Sequence, residues 1–255
     1  DDELTLNSDR TAAKATLQGG AGEDQIEFDG GSKTLNPKMS GFQEMVIDNL
    51  KGDITFSLGE TSDLTQATLK EDTGKNEVKL ANLSGTEFTV NTKGAHSGGS
   101  VTYTAEEALT FNTEASQDAL DDDNTDEVAR GVTAGKTEAL KVNVGEITNY
   151  SGEIAAENAT SATLNVASNE VDDEELTKFT GKLDISSAED VTVDAKGNLD
   201  ATINAAKATS LNITAANGGT VDGSSSLKSV EEFILDTGDK FTLKPSLDAA
   251  QNITL

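Results

Sequence analysis

A glycine-rich turn near the start of the chain carries the residues best suited to chemistry, Gly19-Gly20-Ala21-Gly22-Glu23-Asp24-Gln25-Ile26-Glu27. This run fits the calcium-binding nonapeptide G-G-x-G-x-D-x-U-x, in which U is apolar. Glycine permits left-handed backbone angles that aim carbonyl oxygens at a cation, and calcium takes oxygen ligands. The pattern predicts a calcium site that uses Gly20, Gly22 and Asp24. The alternative is a glycine-rich turn with a solvated aspartate.

A second candidate for calcium is an acidic stretch in the middle of the chain, which includes Asp121, Asp123 and Asp126. Several carboxylates close together in a loop suit a hard divalent cation. Clustered acids in loops are also commonly solvent-exposed, and that alternative stays open.

Other chemistry has few candidate residues. The chain has no cysteine, so neither a disulfide nor a thiolate ligand is available. His96 is the single histidine, and its glycine-rich surroundings, residues 94–99, predict a solvated turn. No Ser–His–acid spacing or phosphate-binding loop is present. The sequence therefore predicts a protein that is not an enzyme.

Charge narrows the possible partners. Forty-six acidic residues against 19 basic ones give a formal net charge of −27. Such a field repels nucleic-acid phosphates and anionic lipid and attracts cations. No apolar run approaches the length of a membrane span. We therefore expect no nucleic-acid partner and no membrane insertion, with Ca²⁺ as the one expected cofactor.

The sequence predicts short β-strands along the whole chain as the elements that position these residues. Apolar residues alternate with Thr, Asn, Asp or Lys, which is the period-two pattern of a half-buried strand. Examples are Glu44-Met45-Val46-Ile47, Ala108-Leu109-Thr110-Phe111, Leu140-Lys141-Val142-Asn143-Val144 and Val191-Thr192-Val193-Asp194.

The spacing of the strands indicates an architecture. Val193, Ile213, Ile234 and Ile253 are separated by 20, 21 and 19 residues. In the first half, Leu35, Phe56, Val78 and Val101 are separated by 21, 22 and 23 residues. Interleaved strand series with a near-constant step predict an all-β fold, a parallel β-solenoid or β-helix with coils of about 20 residues. The alternative is a set of antiparallel β-sandwich repeats.

The repeat is interrupted twice. We divide the chain into a first solenoid stretch, 1–116, an acidic excursion or linker, 117–135, and a second solenoid stretch, 136–255. Within the second stretch, Val171, Leu176 and Phe179 are spaced for a short helix, so residues 169–179 are predicted as a minor helical insertion or cap. The sequence begins without Met and stops within a predicted strand, so we expect a segment of a longer protein.

The nonapeptide, followed by Ser40-Gly41-Phe42-Gln43-Glu44-Met45-Val46-Ile47, resembles bacterial surface-layer (S-layer) proteins of the type I-secreted, RTX-like kind. Later units such as Thr209-Ser210-Leu211-Asn212-Ile213-Thr214 are similar to the strand-and-turn units of that family. The resemblance implies a secreted, extracellular structural module. It also implies self-assembly into a calcium-stabilised lattice of identical copies on the bacterial cell surface. Cell-surface polysaccharide or lipopolysaccharide would be bound by parts of the parent protein outside this segment. The alternative is a ligand-binding module of a secreted adhesin.

Overall fold

The computed structural model describes residues 2–7, 16–31, 34–35, 38–57, 63–70, 75–81, 87–96, 98–104, 108–116, 126–168, 170–171, 174–175, 177–223 and 225–255. Regular structure in these residues consists of β-strands alone. The strands wind into successive coils of about 22 residues. The described strands that pair between successive coils are parallel. This confirms the β-solenoid and excludes the antiparallel sandwich.

The described residues contain twenty-nine strands, numbered in chain order. The first fourteen are β1 (Glu3–Asn7), β2 (Thr16–Gln18), β3 (Gln25–Asp29), β4 (Thr34–Leu35), β5 (Lys38–Ser40), β6 (Glu44–Asp48), β7 (Ile54–Ser57), β8 (Gln66–Leu69), β9 (Glu77–Ala81), β10 (Glu87–Lys93), β11 (Ser100–Tyr103), β12 (Ala108–Glu114), β13 (Asp126–Val128) and β14 (Gly131–Thr133). The remaining fifteen are β15 (Ala139–Val144), β16 (Thr148–Tyr150), β17 (Glu153–Ala155), β18 (Ser161–Val166), β19 (Glu170–Val171), β20 (Glu174–Glu175), β21 (Lys178–Phe179), β22 (Lys182–Asp184), β23 (Asp190–Ala195), β24 (Asn198–Asn204), β25 (Ser210–Ala215), β26 (Gly219–Val221), β27 (Glu232–Thr237), β28 (Phe241–Leu243) and β29 (Asn252–Thr254).

Two long parallel sheets run along the solenoid. The main sheet has the order β1-β3-β6-β8-β10-β12-β15-β18-β23-β25-β27-β29. The second sheet has the order β13-β16-β21-β24-β22-β17-β14-β11-β9-β7-β4, and β26 and β28 continue from β24. Each coil thus has one strand of the main sheet, and in most coils one or two shorter strands of the second sheet follow it.

The core lies between the sheets and is thin. Alternation along each main-sheet strand places every second side chain inside, where side chains at equivalent positions stack from coil to coil. One such inward column, buried along its whole length, comprises Ile26, Met45, Ala67, Val90, Phe111, Val142, Leu164, Val193 and Ile213. Aromatic contacts join the columns: the Phe111 and Tyr150 ring centroids are 5.9 Å apart, and those of Tyr150 and Phe179 are 5.4 Å apart.

Asparagine side chains form a ladder on the outer side of the main sheet. The side-chain amide of Asn112 donates to Asn91 at 2.8 Å, that of Asn143 donates to Asn112 at 2.7 Å, and that of Asn165 donates to Asn143 at 2.7 Å. Parallel in-register pairing places like side chains directly above each other, which permits such ladders. The ladder ties four successive coils together.

The helical insertion predicted for residues 169–179 is wrong. The strands β19 and β20 pair antiparallel, with Glu170 opposite Glu175, and form a small hairpin that leaves the coil. Phe179 belongs to β21, where it pairs with Tyr150 and Leu199 and is fully buried. Phe179 is therefore placed by pairing between coils and not by a helical stripe shared with Val171.

The main sheet runs across the predicted linker, because β12 pairs directly with β15. Strands β13 and β14 lie within the predicted linker and pair with β16 and with β11 and β17, respectively. Residues 117–125 lie outside the described part of the chain. The division into a first solenoid stretch, 1–116, a linker, 117–135, and a second stretch, 136–255, stays a prediction. In the described residues, no helix is long and apolar enough to span a membrane.

Candidate cation-binding turn and buried polar cluster

The glycine-rich turn at residues 19–24, here the Asp24 turn, connects β2 to β3. Gly19 packs against the backbone of Gly41 in the next coil, where a Cβ on Gly19 would meet the Gly41 carbonyl oxygen. Its N–H donates to the Ser40 carbonyl at 2.8 Å. Gly22 has a φ of 128°, which side chains other than hydrogen rarely permit. Glycine is therefore required at two places in this turn for backbone reasons.

Asp24 is buried, with 2% of its surface exposed, and it joins three coils. One carboxylate oxygen accepts the Asp2 N–H at 2.7 Å, and the other accepts the Gly20 N–H at 2.5 Å. The Asp24 N–H in turn donates to the side-chain oxygen of Gln43 at 2.7 Å. Hydrogen bonds to a carboxylate are stronger than those between neutral groups. The predicted alternative of a solvated aspartate is therefore wrong, since Asp24 is an internal cap.

The structure brings Gly20 and Asp24 together through a hydrogen bond and places Gly22 in the same turn. A groove of about 580 Å³ beside it is lined by oxygen-bearing side chains, namely Glu23, Asp24, Gln25, Gln43, Glu44, Thr65 and Gln66. Among the described residues, no group of three or more acidic or histidine side chains is arranged to hold a metal. Calcium at this turn would thus draw on amide or backbone carbonyl oxygens beside Asp24. Calcium binding here stays a prediction.

A second aspartate cap occurs one coil further along. The Gly41 N–H donates to the Asp63 carboxylate at 2.8 Å, and the two residues are 22 positions apart, as are Asp2 and Asp24. Gly41 has a φ of 76°, so it too is a turn glycine. An aspartate placed one coil length after a turn is the signal that could have identified this cap from the sequence.

The second predicted calcium cluster is only partly described. Asp121 and Asp123 lie outside the described residues. Asp126 begins β13, where its carboxylate accepts the Ser116 N–H at 2.5 Å and its own N–H donates to the Ile147 carbonyl at 2.9 Å. Asp126 thereby connects Ser116, the last described residue before 117–125, to the coil that contains Ile147.

A buried polar cluster was missed by the sequence analysis. His96, predicted to be a solvated turn residue, is fully buried, as is Arg130. The Arg130 guanidinium donates to the Asn76 carbonyl at 3.0 Å and lies 3.4 Å from Nδ1 of His96. The Tyr150 hydroxyl donates to the Arg130 carbonyl at 2.8 Å. The bridge between His96 and Val128 brings the glycine-rich turn onto the solenoid wall, which carries the imidazole inside.

Burial sets the ionisation of this cluster. It lowers the pKa of His96 to about 4, and the neighbouring charge of Arg130 lowers it further in the same direction. His96 is therefore neutral at pH 7, and because guanidinium can only donate, Nδ1 is the acceptor. Burial also lowers the pKa of Arg130 to about 10 and raises the pKa of the Tyr150 hydroxyl. No signal of composition or spacing in the sequence marks these three residues as neighbours.

No family model, curated protein or solved structure matches this chain. Functional inference therefore starts from the fold and from the residues described above.

Proposed function

We propose that this chain is a non-enzymatic structural module of a secreted bacterial surface-layer protein, which assembles with identical copies into a calcium-stabilised lattice outside the cell. The observation that carries this proposal is the repetition of the outer surface. Each coil presents its side chains in register with those of the coils beside it, so the exterior is an array of equivalent positions along one body. An array of this kind suits many weak, repeated contacts.

The use of the rare residues supports a non-enzymatic role. His96 and Arg130 have the side chains best suited to proton transfer and to binding anionic substrates. Both are buried in the wall of the solenoid and are hydrogen-bonded within it. Their chemistry thus serves the packing of neighbouring coils.

The acidic surface supports the calcium part of the proposal. A net charge of −27 opposes close approach of copies, and divalent cations reduce such repulsion. Extracellular calcium modules have dissociation constants of about 10⁻⁴ to 10⁻³ M, so millimolar calcium would occupy them. Anchoring to cell-surface polysaccharide or lipopolysaccharide is assigned to regions of the parent protein outside this chain.

Electron microscopy of the purified chain, with millimolar calcium and with a chelator, tests the proposal. We expect ordered sheets or filaments of the chain in calcium and dispersed particles in chelator. Particles that stay dispersed in both conditions would contradict the lattice role. Dispersed chains that instead bind a purified surface polysaccharide would favour the adhesin alternative.

A further inference from the structure

One exposed turn of the solenoid carries the sequence motif for N-linked glycosylation. The pattern Asn-x-Ser/Thr, with x other than proline, is the acceptor motif for a sugar on the asparagine amide. The sequence contains this motif five times, at residues 82–84, 149–151, 158–160, 212–214 and 252–254. The first of these lies outside the described residues. The other four differ in how the fold holds the asparagine.

In three of the four described motifs the asparagine belongs to a β-strand. The side-chain amide of Asn149, in β16, donates to both carboxylate oxygens of Glu127, at 2.9 and 3.0 Å. Asn212 is half-buried in β25, which is paired on both sides. Asn252 is exposed but extended in β29, which pairs with β27. A paired strand has to open before an enzyme can bend it, and such opening costs free energy.

The motif at 158–160 lies in an exposed turn between β17 and β18. The Ala159 N–H donates to the Ala156 carbonyl at 3.0 Å, which closes the turn and makes Asn158 its third residue. Asn158 and Thr160 are exposed, whereas Ala159 between them is buried. A surface turn suits this motif, because a transferase has to reach both the amide and the hydroxyl.

Both polar side chains of this motif line one open notch. The notch has a volume of about 580 Å³ and is lined by Lys136, Glu138, Asn158 and Thr160, which belong to two successive coils. The Asn158 amide donates to the Gly135 carbonyl. The Thr160 hydroxyl donates to the Glu138 carbonyl at 3.1 Å. An asparagine Nδ2 carries two hydrogens, so a sugar can replace one of them while the other still donates to Gly135.

We infer that Asn158 is the site at which this chain accepts an N-linked sugar from a nucleoside diphosphate sugar. In the transfer, Nδ2 of Asn158 forms a bond to the anomeric carbon of the sugar and loses one proton to the solvent. The bond between that carbon and the diphosphate oxygen breaks, and the nucleoside diphosphate leaves. The product carries a bulky, solubilising group on the outer edge of the solenoid. This modification goes beyond the lattice role and does not depend on it.

Another turn offers a matched test of the geometry. Residues 205–209 repeat the turn two coils further along and close it with an equivalent backbone hydrogen bond of 3.1 Å. The Thr209 hydroxyl donates to the carbonyl of Glu189, in the preceding coil, at 3.4 Å. Lys207 is exposed and occupies the position that Asn158 has in its own turn. Lys207→Asn therefore creates the run Asn-Ala-Thr in a turn with the same hydrogen bonds.

The first test uses the folded chain, UDP-glucose and a soluble N-glycosyltransferase that recognises Asn-x-Ser/Thr. Tryptic peptides of the same chain are the reference, because the fold no longer protects any motif in them. Tandem mass spectrometry measures the hexose on each asparagine over time. Asn158→Gln removes the acceptor, Thr160→Val removes the hydroxyl, and Thr160→Ser keeps it. Circular dichroism checks that each variant is folded.

We expect Asn158 in the folded chain to react at least about tenfold faster than Asn149 and Asn212, because the strands must first open. All three should react in the peptides. Thr160→Val should abolish the hexose at residue 158, Thr160→Ser should retain it, and Lys207→Asn should add a second hexose, at residue 207. Equal rates at the three asparagines of the folded chain would overturn the assignment, as would an unmodified Asn158 alongside reactive peptides.

The protein isolated from its own cells gives the second test. Its tryptic peptide that contains Asn158 should be heavier than the sequence by the mass of at least one sugar. A peptide found only without a sugar would overturn the inference. The lattice role would still stand in that case, since its test is calcium-dependent assembly of the purified chain.

Discussion

Asp24 illustrates how a residue that is typical of calcium turns can also hold a fold together. Its carboxylate accepts backbone N–H groups from Asp2 and Gly20, and it is almost fully buried. Asp24→Ala removes both acceptors, and an unsatisfied buried donor costs about 1–3 kcal/mol. We expect the free energy of unfolding in chelator to fall by about 2–3 kcal/mol, measured by urea denaturation. Asp24→Asn keeps one acceptor oxygen and should lose about half as much. Equal stability of all three proteins would rule out the capping role.

His96 makes a second prediction at the same scale, concerning pH. Its pKa is about 4 in the folded chain and about 6.5 in the unfolded chain. Between these values the unfolded state takes up a proton that the folded state does not. The contribution of His96 to stability is therefore complete above pH 6.5 and is lost as the pH falls toward 4, by up to about 3 kcal/mol. His96→Gln lacks this titration but keeps an oxygen that can accept from Arg130. Urea unfolding from pH 4 to 7 should show a steeper fall for the unmodified chain, whereas parallel curves would contradict the assignment.

At the scale of elements, the asparagine ladder on the main sheet should contribute measurably to coil stacking. Asn143 is in the middle of the ladder, where it donates to Asn112 and accepts from Asn165. Asn143→Ala breaks two side-chain bonds, and we expect a loss of about 1–2 kcal/mol in the free energy of unfolding. Asn212→Ala is the control and should cost less, because Asn212 is a half-buried outward residue of β25, two strands beyond the end of the ladder. A double-mutant cycle with Asn165→Ala should show coupling, and strict additivity would argue against a ladder contribution.

The hairpin of β19 and β20 offers a prediction about an insertion. Residues 167–177 join β18 to β21. In the next coil, β23 pairs with β18 and β24 pairs with β21, but Lys196 and Gly197 alone connect these two strands. Replacing 167–177 by Lys-Gly should therefore preserve the solenoid. Thr177 accepts the Ile147 N–H at 2.9 Å, and its loss should cost about 1 kcal/mol. Far-UV circular dichroism and urea unfolding would test this, and a loss of β signal would show that the hairpin is required for folding.

The sequence predicted the strands of the solenoid better than their register. Leu35 with Phe56 and Val78 with Val101 are true partners across neighbouring coils. The later series is right from Val193 to Ile213, but the next inward residue is Leu235 and not Ile234. Phe233-Ile234-Leu235 is apolar throughout, so alternation gives no sign of which residues face inward. Register there depends on pairing with the preceding coil, which no local pattern contains.

At the scale of the whole molecule, the sequence indicated the glycine-rich turn at Asp24 but not the buried cluster of His96, Arg130 and Tyr150. Asp24 and Gly20 are four residues apart, so a local motif was sufficient to join them. Arg130 and His96 are 34 residues apart, and the length of the intervening excursion cannot be inferred from a repeat. Contacts between coils at irregular separation are thus the part of the site that needs the fold.

The net charge of −27 makes cation dependence a property of the entire chain, and calcium must be separated from general screening. Sodium chloride should raise the melting temperature by reducing self-repulsion. Calcium at matched ionic strength should raise the melting temperature further if it occupies specific sites. Each site would add about 1–2 kcal/mol to the free energy of unfolding at tenfold excess over the dissociation constant. Magnesium is the matched divalent control, because it demands a stricter geometry and dehydrates reluctantly. In Asp24→Ala the excess effect of calcium over magnesium should fall by one such increment. If the excess of the calcium effect over the magnesium effect is the same in Asp24→Ala, the calcium sites lie away from the Asp24 turn. Equal shifts of the melting temperature with calcium and magnesium would show that calcium acts only as a counterion.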